Sequence, residues 1–208
     1  MIKKTRKTSE GILSSATISL DQKYRYILSR SWFVFKADPM VFCMLNPSTA
    51  DGTIDDPTIR RCMGFARREN RTGIVVINLF ALRSSNPGVL RVADDPFGPD
   101  RRRYYEAVLE PLSGKEIVLA WGSFDVGNRG AISKRMLFEM LAAKNIKLMC
   151  LGVTKDNSPR HPLYIKADQP LIPYDRYALE QPCPECGVRG CFNDCDEADH
   201  IPRSSEDM

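Results

Sequence analysis

Four short apolar runs through the middle of the chain constrain its fold more than any other feature. They are Val41-Phe42-Cys43-Met44-Leu45, Ile74 to Leu79, Ile117 to Trp121 and Ile146 to Leu151. Runs of this length and hydrophobicity suit strands buried on both faces. Helical spacing fills the intervals between them. Ile59, Cys62, Met63 and Ala66 mark one helix, with Asp56 suited to cap it and Pro57 to open it. Tyr104, Ala107, Val108 and Leu112 mark a second, and Ile132, Met136, Leu137, Met140 and Leu141 a third. A strand–helix unit repeated three times and closed by a strand predicts an α/β fold. With right-handed crossovers it becomes a three-layer α/β/α sandwich around a central, mostly parallel four-stranded sheet. Ahead of it, the alternating and aromatic-rich residues 16–36 predict an N-terminal β-hairpin with Asp21-Gln22 near its turn.

The expected organisation is a basic flexible arm over 1–15, an α/β domain over 16–165 and a Pro-containing linker or wrapping arm over 166–182. A Cys-rich module over 183–200 and a tail over 201–208 complete it. With 208 residues, 43% hydrophobic and 27% charged, the chain is too apolar to be disordered and long enough for one real core. No apolar run reaches the ~18 residues of a membrane span. No secretory signal precedes the domain, so a cytoplasmic protein without membrane contact is expected.

Charge divides unevenly. Residues 180–208 hold eight acids and two bases, so the net +4 of the whole chain becomes +10 over residues 1–179. A basic body suits an anionic partner, DNA first. Lys3, Lys4, Arg6 and Lys7 are either a phosphate-contacting arm or a disordered terminus. The acidic tail suits a protein partner.

Cysteines divide the same way. Cys43, Cys62 and Cys150 stand alone in apolar surroundings and read as buried small hydrophobes. Cys183, Cys186, Cys191 and Cys195 have the spacing of a structural zinc knuckle, with His200 as a substitute ligand. The alternatives are free thiols, disulfides and a four-cysteine iron–sulfur cluster, though cluster ligands are ordinarily more widely spread. No organic cofactor is expected.

Ligands of open α/β sheets bind beyond the carboxyl ends of the strands. Four segments should meet there: Asn46 to Asp51, Asn78 to Arg83, Gly122 to Phe124 and Gly152 to Leu163. They hold Asn46, Ser48, Asn78, Ser123 and His161. An Asn amide pairs with the edge of a planar polar ring. His161 donates to a developing negative charge, and Phe42, Phe65 or Phe80 could stack on the ring. Arg160, Arg83 and Lys155 are candidates for gripping phosphates.

In this order the rim segments resemble the uracil-DNA glycosylase superfamily. VFCMLNPS resembles its first motif, a strand running into a water-positioning loop. VVINLFALR is similar to the strand ending in the Asn that reads the base edge, IVLAWGSF to the strand carrying a Trp-Gly-Ser turn, and SPRHPL to the His-Pro motif. LNPSTADGTIDDPTIRR, INLFALRSSNP and PRHPLYI also resemble a bacterial and phage family catalogued as a domain of unknown function, number 1643, over most of residues 16–165. That second likeness is the closer one and brings no activity with it.

The glycosylase resemblance implies that Asn46 positions the attacking water, Asn78 pairs with the flipped base and His161 stabilises the leaving base. Pro47, Ser48, Phe80, Arg83, Arg160 and Pro162 would contact substrate, and Gly122 and Ser123 would lie beside the phosphate backbone. The first loop lacks the activating Asp of the most efficient uracil enzymes; Asp51, Asp55 or Asp56 would have to replace it, with Asp51 the catalytic candidate. The second motif carries Leu163 where that family often has Ser. These departures point to a different or modified base. The expected activity is hydrolysis of the N-glycosidic bond of a base in DNA. The alternatives are a nucleotide- or nucleoside-processing enzyme using the same pocket, a non-catalytic modified-base or DNA-binding module, and a protein-interaction scaffold.

Overall fold

The computed structural model describes residues 1–177 except 9–10, 34–36, 49 and 53. Eight strands form a single sheet: β1 (Ile2–Lys7), β2 (Leu13–Ile18), β3 (Arg25–Ser31), β4 (Pro39–Met44), β5 (Gly73–Asn78), β6 (Glu116–Leu119), β7 (Lys147–Cys150) and β8 (Ile172–Pro173). Their order is β1-β2-β3-β5-β4-β6-β7-β8. Among the described residues three α-helices accompany them: α1 (Pro57–Arg68), α2 (Arg101–Leu109) and α3 (Asn128–Ala143).

The apolar runs become β4, β5, β6 and β7. β4 lies parallel to both β5 and β6, and β6 parallel to β7. Alternate residues of β4 serve opposite cores. Met40, Phe42 and Met44 pack with Ile59, Cys62, Met63, Phe65 and Ala66 of α1. Val41 and Cys43 pack with Tyr105 and Leu109 of α2 and Leu137 and Leu141 of α3. Burial on both faces explains why these strands lack polar alternation. α1 starts where its sequence predicts: Asp56 accepts from Ile59 N at 2.8 Å and Pro57 opens the helix. Cys43, Cys62 and Cys150 are buried, and burial raises all three thiols above their ordinary pKa. They are inert core residues.

The expected four-stranded, mostly parallel sheet needs correcting. Four of the seven strand pairings are antiparallel, and the sheet is mixed and twice as wide. The hairpin β2–β3 joins it through β3 and β5, turning at Ser19–Lys23 with Gln22 at φ +60°. The arm expected over residues 1–15 instead contributes β1 and the start of β2, paired from Ile2↔Ile18 to Lys7↔Leu13. Backbone pairing needs no apolar side chain, and an edge strand rich in Lys and Arg resists further pairing. At the other edge, residues of the predicted linker pair with β7 as β8. Leu171 and Tyr174 pack on the two cores. The Cys-rich module and tail lie outside the described residues.

Candidate active site at the carboxyl rim

Parallel β4, β5, β6 and β7 deliver their carboxyl ends to one side of the sheet. Beyond β4, Asn46 Nδ2 donates to the carbonyls of Pro47 (3.1 Å) and Ser84 (2.9 Å), while Ser84 N donates to Pro47 O at 2.8 Å. Two carbonyl partners fix the amide's orientation, since only the nitrogen can donate. Asn46 therefore offers a ligand its Oδ1, an acceptor.

The rest of this loop is held from behind by buried cations. Arg30, 1% exposed, donates to Asp55 Oδ1 at 2.7 Å, Asp51 O at 2.6 Å and Ile54 O at 3.3 Å. Arg25, 3% exposed, donates to Ala50 O. Burial pushes the Arg25 guanidinium down to about 10, which leaves it charged at neutral pH. Lys4 of β1 pairs with Asp51 at 3.4 Å. Neither buried arginine is visible as a loop anchor in the sequence, because β3, which carries both, is far from the loop in the chain.

Beyond β6 the chain turns at Gly122, whose φ of +74° suits glycine. Its N–H donates to Pro159 O at 2.8 Å, and a Cβ there would lie 3.4 Å from that of His161. The third and fourth rim segments thus touch. His161 caps the turn Pro162–Tyr164, its Nδ1 accepting from Leu163 N at 3.4 Å. Nε2 then carries the proton of the neutral ring and is the nitrogen left for a ligand. Burial holds the imidazole below its ordinary value of 6.5, with Asp56 partly opposing the shift.

These segments enclose a cavity of about 590 Å³ whose walls include Asn46, Ser48, Ser123, Arg160 and His161. Trp121, Phe124 and Tyr164 add aromatic surface, and Ser84, Ser85 and Thr154 add hydroxyls. Phe124 lies under the Arg91 guanidinium, 5.0 Å from it, and Tyr164 is 81% exposed beside His161. Arg160 Nε donates to Val153 O at 3.0 Å, which fixes the side chain at the rim.

Several sequence-predicted residues stand elsewhere. Asp51 does not line the cavity; it pairs with Lys4 and accepts from Ile54 N at 3.1 Å. None of the described lining residues is a carboxylate. Asn78 is 4% exposed, on the same side of β5 as Ile74 and Val76, which pack against α1, and its Nδ2 has no hydrogen-bond partner among the described residues. Arg83 turns back to Gln22 O at 3.1 Å. Pro47 and Pro162 are buried supports behind the loop and the turn. Phe42, Phe65 and Phe80 are at most 2% exposed, so none offers an open face. Sequence reasoning did not single out Ser84, Ser85, Pro87, Thr154 or Tyr164. Thr154 lies inside the fourth predicted segment, and the others lie within a few residues of one, so wider margins around the strand ends would have included them.

A further cavity of about 410 Å³ lies near the amino ends of β4 and β6, with an apolar floor that includes Ile27, Val41, Val75 and Val108. Its two carboxylates, Asp38 and Glu116, are already paired with Arg71. The catalytic candidates all lie at the opposite end of the strands.

A family model described as a protein of unknown function (DUF1643) matches residues 25–163. The chain belongs to the DUF1643 family. The matched span runs from the start of β3 to the His161 turn and includes all four strand ends of the rim, while Tyr164 and β8 fall just beyond it. No curated protein and no solved structure matches the chain, and nothing in these comparisons supports kinship with the uracil-DNA glycosylase superfamily. Among the described residues no group of His, Cys, Asp and Glu could hold a metal. The predicted zinc ligands Cys183, Cys186, Cys191 and Cys195 lie outside them. No helix among the described residues is long and apolar enough to cross a membrane.

Proposed function

We propose that this DUF1643 member hydrolyses the N-glycosidic bond of a base in DNA, and that the rim cavity receives that base. One observation carries the reading. A fixed acceptor, Asn46 Oδ1, and a neutral imidazole with Nε2 to spare line a single aromatic-walled cavity. Breaking the C1′–N bond sends its electron pair to the base and leaves positive charge on the sugar. The His161 Nε2–H stabilises the departing base by hydrogen bonding. Asn46 Oδ1 orients a water whose oxygen bonds to C1′, and the water's proton passes to the released base or to solvent. The products are a free base and an abasic site.

With no carboxylate among the described residues that line the cavity, none of them can activate the water as a general base. Departure of the base must then run ahead of water attack. Bases that form stable anions, such as electron-poor modified pyrimidines, are the substrates this arrangement favours. A base drawn from duplex DNA must first be flipped out, at a cost of about a few kcal/mol. Arg160 at the rim and the surplus of positive charge over residues 1–179 would offset part of it.

The test is release of free base from plain, uracil-containing and hypermodified phage DNA, scored by mass spectrometry and by alkali cleavage at abasic sites. Release by the wild type that fails with Asn46→Ala and His161→Gln supports the reading. Absence of release from the whole panel refutes it for those bases, and salt-sensitive DNA binding retained in its place favours a non-catalytic reader.

The pH dependence follows from the imidazole. Protonation would place a proton on Nδ1 against the Leu163 N–H and break the turn. Because burial depresses the folded pKa, the neutral form persists to lower pH than for a free imidazole. Base release should be level above pH 6.5 and fall with a midpoint below 6.5. A rate that rises as pH falls through that range would assign the work to an imidazolium acid.

A further inference from the structure

His161 stands at the head of a single short turn, Pro162–Tyr164, and a turn of this length does not hold itself. Before His161 the backbone is anchored: Gly122 N donates to Pro159 O at 2.8 Å and Arg160 N to Gly152 O at 2.9 Å. After it the anchor comes from α1. The Arg61 guanidinium lies 5.2 Å from the centre of the Phe65 ring and reaches two carbonyls of the turn. Its Nε donates to Pro162 O at 3.5 Å and its Nη2 to Ile165 O. Ile165 is itself buried in the core that holds Ile59, Cys62 and Phe65 of α1. The two carbonyls bracket Leu163, whose N–H orients the imidazole through Nδ1. The same helix opens at Asp56, directly after Asp55, which Arg30 holds. α1 therefore joins the loop that follows Asn46 to the turn that carries His161.

We infer that Arg61 is a positioning residue: by holding Pro162 O and Ile165 O against α1, it sets the place of the His161 imidazole in the rim cavity. A planar guanidinium carries several donors in fixed directions, so it can hold two carbonyls at once. A lysine ammonium is a point charge on a flexible stem and holds them less firmly. That the imidazole is placed for a leaving base rests on the proposed function; that Arg61 places it does not.

The experiment uses the full chain with Arg61→Met and Arg61→Lys, at temperatures where circular dichroism shows both folded. The first readout needs no substrate. The His161 ring is titrated by NMR, assigned by its loss in His161→Gln, and its wild-type midpoint lies below 6.5. Loosening the turn lets water reach the ring and lifts the midpoint towards 6.5. Arg61→Lys keeps the charge, so a rise in both variants comes from the turn and not from a lost cation. Asp56, the carboxylate that acts on the ring, is untouched in each. The second readout is base release. Its kcat should fall roughly tenfold or more in Arg61→Met and less in Arg61→Lys, with KM near wild type. Arg68→Met removes a similar contact of α1, to Ala167 O at 2.7 Å beyond the turn, and should leave both readouts near wild type. An unmoved midpoint in both Arg61 variants, a wild-type rate in Arg61→Met, or an equal effect of Arg68→Met overturns the inference. If the midpoint rises while no DNA releases a base, the positioning stands and the glycosylase reading falls. If both Arg61 variants release bases at the wild-type rate, the reverse holds.

Discussion

Replacing Arg30 with methionine is expected to destabilise the fold by about 2–4 kcal/mol, read as a lowered denaturant midpoint with an unchanged slope. The guanidinium is 1% exposed and serves Asp55, Asp51 O and Ile54 O together with its neighbour Ser29 O. Removing one partner of a fully buried pair ordinarily costs about 3–5 kcal/mol, because the other charge is stranded. Here the Asp55 side chain keeps 31% exposure, so water takes up part of its charge and the lower range applies. The loss should also reach the site. The same three contacts hold Asp51, Ile54 and Asp55, a few residues on from Asn46 and Ser48, which line the cavity. Base release from Arg30→Met should therefore fall even at temperatures where the variant is fully folded. Stability equal to wild type would mean that the loop is held by other contacts.

Replacing His161 with glutamine is expected to slow base release by roughly 10²–10³-fold, the usual cost of removing one fixed donor to a developing anion. Glutamine keeps a donor but not the ring that caps the turn at Leu163, so its placement is looser. Binding of DNA should change little, because the donor acts on the leaving base rather than on the backbone. Asn46→Ala should act differently. It frees the carbonyls of Pro47 and Ser84 as well as removing the water's acceptor, so a loss of stability accompanies the loss of rate. Equal DNA affinity with a rate near wild type in His161→Gln would remove this side chain from the chemistry.

The sequence makes legible whatever is buried symmetrically or forced by topology. β4 to β7 are wrapped on both faces, so their apolar runs stand out, and all four lie parallel to a neighbour in the set, so their carboxyl ends must meet. That alone brings Asn46, Ser48, Ser123, Arg160 and His161 to one cavity. β1 is not legible, because IKKTRK is an exposed edge held by backbone pairing. β8 is two residues long. Side-chain direction is the other thing hidden. Asn78 ends β5 with the parity of Ile74 and Val76 and so falls on the α1 side, one residue out of phase with the cavity. Asp51 is drawn to Lys4, a partner from a strand the sequence does not announce. Arg101 is similar: buried under Phe97 and Tyr105, it donates to Leu79 O and Ser133 Oγ, pinning the end of β5 to α3. Nothing local in its sequence marks it as more than a surface charge on α2.

The central claim is that a base enters the rim cavity against Trp121. The chain has two tryptophans, and Trp32 lies apart, donating to Arg71 O beside α1. In Trp32→Phe, Trp121 is the sole reporter. Titrating this variant with free nucleobases and with DNA carrying an unpaired base should quench its emission in a saturable way, and Ser123→Trp, which fills the cavity, should abolish ligand binding measured calorimetrically. Trp121 emission that ignores every base and every DNA, with calorimetric binding intact in Ser123→Trp, would place the ligand elsewhere on the molecule and contradict the account.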